Sequence, residues 1–226
     1  MRWPRPPRPR PRGTSAISID GGNNGGARII AWDRDSIAVF ALIQAHARSS
    51  GDAEAIARDI RISTERGRIR ADVGSTGRNE GASVSYHVYV PRRMDVTART
   101  RNGGISVDGV SGTLDLEANN GGLSIKGAGG DLRGRTTNGG ITLTLAGSRW
   151  EGRGADLETR NGGVSVVIPE RFNARLEAST VNGSFNIDFP ITMQGRIGRH
   201  IEATIGSGGP TVRAVTTNGG VRIRRA

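Results

Sequence analysis

The chain has no cysteine, only 4% aromatic residues and three histidines, and no run of about 18 apolar residues breaks its length of 226. The first absence removes disulfide frameworks, thiolate metal sites, iron–sulfur clusters and cysteine nucleophiles. The lack of a long apolar run leaves no helical membrane span to expect. His46, His87 and His200 stand far apart in no metal-ligand spacing, and strand parity puts His87 on an outer face. No GxSxG nucleophile elbow occurs. GGNNGG at 21–26 lies between strand-like runs rather than ahead of a helix, so it reads as a turn and not as a dinucleotide fingerprint.

What the chain does have is glycine, 35 residues of it, and positive charge, 32 Lys and Arg against 21 Asp and Glu for a net +11. Such an excess ordinarily points to nucleic acid or an anionic surface, so its location matters. Residues 1–12, MRWPRPPRPRPR, carry +5 and five of the nine prolines; residues 13–93 carry +2 and residues 94–226 carry +4, three of these from Arg222, Arg224 and Arg225. The charge gathers at the two ends, which argues against nucleic acid as the partner. Residues 1–13 read as a disordered polyproline II arm whose Arg2–Arg12 stretch suits contact with an anionic surface. No apolar h-region follows it, so it is not a signal peptide.

Residues 14–95 read as strands around one helix. Ile37, Val39, Ala41 and Ile43 fall on one face, and Val84, Tyr86, Val88 and Val90 alternate with Ser83, Ser85, His87 and Tyr89. Between them Ala53, Ile56, Ala57 and Ile60 recur at helical spacing, with Asp52 and Glu54 in the first turn, which predicts a helix over about residues 51–60.

From residue 96 the sequence repeats. Asn-Gly recurs at Asn102-Gly103, Asn120-Gly121, Asn138-Gly139, Asn161-Gly162, Asn182-Gly183 and Asn218-Gly219, with gaps of 18, 18, 23, 21 and 36 residues. The longest gap reads as two units, one without its Asn. Apolar residues occupy the columns six and four before the Asn and three and five after it, giving two short inward-facing strands per unit. The Asn-Gly pairs are expected to be turns requiring positive φ. They also fit hairpins. The constancy of the columns through loop insertions favours a flattened β-solenoid over residues 96–226, continuous with the preceding part, over an antiparallel meander. Outward columns alternate in charge: Arg99, Glu117, Arg135 and Glu158 should form one line if the rungs stack in parallel.

Candidates for chemistry are few. The turns lack the Asp of the calcium-binding GGxGxDxUx roll, so no metal and no cofactor is expected. The acids are paired column by column with arginines, which argues against a polysaccharide-active β-helix enzyme, though that remains an alternative. Trp32 in AWDRD, and Trp150 with Arg149 and Arg153 in the insertion SRWEGRG, are the candidate ligand contacts, with ordinary packing as the competing account of both rings.

The segment GGNNGGARIIAWDRD, the helical insertion, the strand ending in VYVP and the successive T-x-N-G-G-hydrophobic-x-hydrophobic units together resemble a bacterial family of adhesin-like β-strand-repeat domains, the toastrack domains, across roughly residues 16–226. That resemblance implies an extracytoplasmic, envelope-associated, non-catalytic β-solenoid acting in adhesion, partner binding or envelope-stress sensing, with a protein or glycan partner. It brings no catalytic residues. A self-assembling scaffold joined through its open solenoid ends is the structural alternative.

Overall fold

The computed structural model describes residues 15–226 except 75–76, 78, 189–191 and 194–198. The Arg/Pro arm, with Arg2–Arg12, lies outside the described residues. The chain opens with β1 (Ala16–Asp20), β2 (Ala27–Trp32) and β3 (Ala38–His46), followed by α1 (Ser50–Asp59), β4 (Arg61–Ser63), β5 (Arg68–Asp72) and β6 (Gly81–Pro91). The repeats supply β7 (Asp95–Thr100) with β8 (Ile105–Asp108), β9 (Ser111–Asn120) with β10 (Leu123–Lys126), and β11 (Gly129–Asn138) with β12 (Ile141–Thr144). Next come β13 (Gly154–Asn161) with β14 (Val164–Ile168), and β15 (Ala174–Asn182) with β16 (Phe185–Ile187). After β17 (Thr192–Met193) and β18 (His200–Ile205), the pair β19 (Thr211–Asn218) and β20 (Val221–Arg225) closes the chain.

The fold is an all-β solenoid of two facing sheets, a wide one of eleven strands and a narrow one of nine. Each rung crosses the wide sheet, turns at its Asn-Gly corner and returns along the narrow sheet. The inward columns, such as Leu114, Leu116, Leu123 and Ile125, are at most 2% exposed and fill the space between the sheets. Each fully buried Leu, Ile or Val contributes about 1.5–3 kcal/mol, so the strand alternation is itself the main source of stability. Helix α1 is capped by Ser49, whose Oγ accepts from the Asp52 backbone N–H at 3.1 Å, and it packs on β3 without fully burying any residue.

Rungs do not stack in chain order. The wide sheet runs β17-β18-β15-β19-β13-β11-β9-β7-β1-β5-β4 and the narrow sheet β16-β20-β14-β12-β10-β8-β2-β6-β3. The last rung, β19/β20, is therefore inserted between β13/β14 and β15/β16. The first, β1/β2, is inserted between β5/β6 and β7/β8. Among the described residues the 36-residue gap holds no rung lacking its Asn: within it β18 adds to the wide sheet antiparallel to β15, and β17 antiparallel to β18.

The expectation that the Asn-Gly corners need positive φ holds only at Gly162 (φ 159°) and Gly219 (φ 153°); Gly103, Gly121, Gly139 and Gly183 take no positive φ, and neither does any corner Asn. Among the described residues the only non-glycine positive-φ positions are Arg66 and Asn79. Left-handed glycines sit at the opposite corner instead, as at Gly109 (φ 72°) and Gly127 (φ 57°). What the Asn-Gly corner requires is the absence of a Cβ. A Cβ on Gly121 would lie 2.0 Å from the Gly103 carbonyl oxygen, and one on Gly139 would lie 2.2 Å from that of Gly121. The glycine lets successive corners close to backbone contact.

That contact sets up two side-chain ladders. Asn120 Nδ2 donates to Asn102 Oδ1 at 2.7 Å, Asn138 to Asn120 at 2.8 Å and Asn161 to Asn138 at 2.8 Å. Asn218 continues the line to Asn161 and Asn182 to Asn218, each at 2.8 Å, so the ladder follows the spatial rung order. At its other end Asn102 donates to Asn24 Oδ1 at 3.1 Å, making the GGNNGG turn a rung corner. Beneath it Thr136, Thr159 and Thr216 are buried, and their hydroxyls donate to the carbonyls of Gly121, Gly139 and Gly162 at 2.7 Å.

Candidate functional site

The two outer faces spend their polar side chains differently. On the wide sheet, Arg70, Asp20, Arg99, Glu117, Arg135 and Glu158 stand in register across six strands, with the four repeat residues in the line their spacing predicts. A second line runs Asp115, Arg133, Asp156, Arg213, Glu177. Arg99 pairs with Asp115 and with Glu117, both at 3.2 Å, Arg135 with Glu158 at 3.8 Å and Arg213 with Asp156 at 2.6 Å. These pairs are solvated and individually weak, and they engage part of the charge on that face; Arg133 and Arg175 stand on it outside any ion pair among the described residues.

The narrow sheet is built otherwise. Ser106, Ser124, Thr142 and Ser165 project outward in one row, extended by Arg28 on β2 and by Arg222 on β20. Alongside runs the second glycine of five corners, Gly104, Gly122, Gly140, Gly163 and Gly220, with Ser184 in that place at the sixth, and their lack of side chains sinks a trough beside the hydroxyls. Two grooves lie in it, about 410 Å³ next to Arg28 and about 360 Å³ next to Arg222. Neither arginine makes an ion pair among the described residues.

At the Arg28 end of this face the aromatic residues collect. Tyr89 stacks on Trp32 (5.3 Å, 28°) and on His87 (4.9 Å, 21°), while Phe40 meets it edge-on at 6.1 Å. The Arg34 guanidinium lies 5.1 Å from the Trp32 ring, and Trp32 Nε1 donates to the Ser36 carbonyl at 2.7 Å. The cluster is thus mutually engaged. His87 is on the outer face, as parity predicts, but buried; that burial and the neighbouring Arg28 charge lower its pKa. Tyr86, on the inner face, has its pKa pushed up to about 12 by burial and by Asp20, and its hydroxyl has no hydrogen-bond partner among the described residues.

The residues singled out from sequence do not converge. Trp150 is 3% exposed, packs in the core and donates from Nε1 to the Gly130 carbonyl at 2.9 Å, so its ring offers no face to a ligand. Arg153 is exposed and paired with Asp131, and Arg149 is exposed in the same loop. Trp32, on β2, is separated from that loop by β8 and β10. Among the described residues no group of three or more His, Asp or Glu is arranged to hold a metal ion, and no helix is long and apolar enough to cross a membrane. Arg28, Arg222 and the Ser/Thr row did not stand out in the sequence. The signal lies in the column four after each Asn, which holds no apolar residue in any repeat.

A family model described as Toastrack DUF4097 matches residues 43–224. No curated protein matches the chain. Among solved structures, a putative cell adhesion protein from Clostridium sporogenes ATCC 15579 is 10% identical with a TM-score of 0.46, the alignment covering 95% of this chain and 94% of that one. A putative adhesin from Bacteroides fragilis NCTC 9343 is 10% identical with a TM-score of 0.39, covering 95% and 93%.

Proposed function

The chain belongs to the Toastrack DUF4097 family, and from that premise we propose that it is a non-catalytic interaction module of the adhesion type, working at the bacterial cell envelope. The observation that carries this reading is the contrast between the faces. On the wide sheet opposite charges alternate from rung to rung and several pair, whereas the narrow sheet sets a row of hydroxyls between Arg28 and Arg222, two arginines outside any ion pair among the described residues, beside two grooves. A long, regular surface, with no group of three or more His, Asp or Glu placed to hold a metal ion among the described residues, suits recognition along its length. The ends support a discrete module over a polymer. Three of the four outermost sheet positions are antiparallel strands, β3, β4 and β17, which interrupt the parallel stacking another copy would need.

The test is retention. Beads coated with the full chain should be held on purified bacterial envelope fragments in a saturable manner, and soluble protein should compete them off. Retention no greater than that of albumin-coated beads would overturn the reading, as would release of new reducing ends from the fragments by the protein.

A further inference from the structure

Resting on the reading of the chain as a binding module, we infer that the trough on the narrow sheet holds a linear, sparsely charged acidic polysaccharide, with a carboxylate on Arg28, another on Arg222, and sugar hydroxyls on the row between. Arg28 and Arg222 belong to the same outward row, and five rung steps separate them. At about 4.8 Å per step this is roughly 24 Å. Both side chains are exposed and free of acidic partners among the described residues. A guanidinium takes a carboxylate in a two-pronged hydrogen bond, which favours Arg over a point charge at such anchors.

Between the anchors stand Ser106, Ser124, Thr142 and Ser165, one hydroxyl per rung. Each both donates and accepts, as sugar hydroxyls do. In the next outward column Lys126 faces Asp108, and Arg224 lies beside the exposed Asp188 that follows β16. The net excess on this stretch therefore falls on the two anchors. The glycine row keeps the floor low enough for a chain to lie along the solenoid axis, and between the two anchors neither the hydroxyl row nor the glycine row carries an apolar side chain; Leu42 lines the groove only beyond Arg28.

Nucleic acid fits poorly. A duplex carries about one charge per 1.7 Å, so two anchors over roughly 24 Å would leave most phosphates unmatched. The aromatic rings that would stack bases are stacked on each other instead.

The experiment is affinity electrophoresis of the full chain through gels containing hyaluronan, gellan or dextran, with oligothymidylate as competitor. The acidic polymers should retard the protein and dextran should not. The R28Q/R222Q variant, altered only at exposed side chains and checked for native circular dichroism, should bind about tenfold more weakly. R175Q removes one exposed charge from the wide sheet and should change binding less than about twofold. Equal retardation of the wild type and R28Q/R222Q, no retardation by either acidic polymer, or displacement by oligothymidylate would overturn the inference. If beads still bind envelope fragments when hyaluronan and gellan fail, this inference alone falls; if the beads fail too, the binding-module reading falls with it.

Discussion

Arg213, from the last rung of the chain, donates from Nη1 to Asp156 Oδ1 at 2.6 Å, and on its other side it stands in register with Glu177. In chain order Asp156 would have faced Glu177. At the opposite end Asp20 stands between Arg70 and Arg99, which chain order would have made neighbours. Both inserted strands thus place a charge between two of opposite sign, and cross-strand pairing of this kind rewards the observed rung order over the sequential one.

Arg213→Glu should therefore destabilise the protein by about 1 kcal/mol, with Arg213→Gln falling between it and the wild type. Because the Arg213 and Asp156 side chains are 43% and 36% exposed, salt should shrink the difference. Urea unfolding at low and high ionic strength measures both. An effect of Arg213→Glu that is absent at low salt would remove charge from the account of rung order.

Gly121→Ala and Gly147→Ala separate two uses of glycine. At Gly121 the new Cβ would sit 2.0 Å from the Gly103 carbonyl oxygen, and the corners would have to part. At Gly147 the φ is 75° with nothing within 4 Å, so only backbone strain of about 1 kcal/mol is expected. Thermal unfolding should show Gly121→Ala to be the costlier by a wide margin.

Asn138 donates to Asn120 and accepts from Asn161. Asn138→Asp keeps the acceptor but loses the donor, setting two acceptors against each other at neutral pH. The introduced carboxyl should titrate above the ordinary value of about 3.9, because only the protonated form can donate. Stability is then present below that value and lost as pH rises through the folded-state pKa. The expected signature is that Asn138→Asp is less stable than Asn138→Ala at pH 7 and recovers in acid, read from denaturation midpoints across pH.

His87 has a lowered pKa in the folded protein, first through burial and then through Arg28. The unfolded chain takes up this proton first, near pH 6.5, so stability holds above about pH 6.5 and declines as pH falls toward the folded-state pKa. His87→Gln should flatten that limb of the stability profile. An unchanged profile would assign the acid sensitivity to other groups.

Tyr86 gives the mirror case. With its pKa raised to about 12, the folded form keeps a proton that the unfolded chain begins to lose near pH 10. Stability should fall as pH rises through that interval, and Tyr86→Phe should abolish the fall. Since the buried hydroxyl has no partner among the described residues, the same substitution should be neutral or stabilising at pH 7, by about 1 kcal/mol at most.

Taken alone, the residues determined the rung. Period-two alternation with apolar columns set on either side of each Asn can bury its side chains only between two stacked strands, and that logic is local enough to read from sequence. Helix α1 was legible for the same reason, from its apolar spacing and the acids of its first turn. Three things were not. The order of the rungs was hidden because every rung presents nearly the same edge, so placement depends on charges more than fifty residues apart, such as Arg213 and Asp156. The need for glycine at the corners was read as a matter of φ, which applies at Gly162 and Gly219 alone, because the close approach between corners that all six share exists only once the rungs are stacked. The fate of Trp150 and the trough from Arg28 to Arg222 depended on which surface each rung turned outward and on what lay beside it. Local pattern decides which way a side chain points; the tertiary stack alone decides what it meets there.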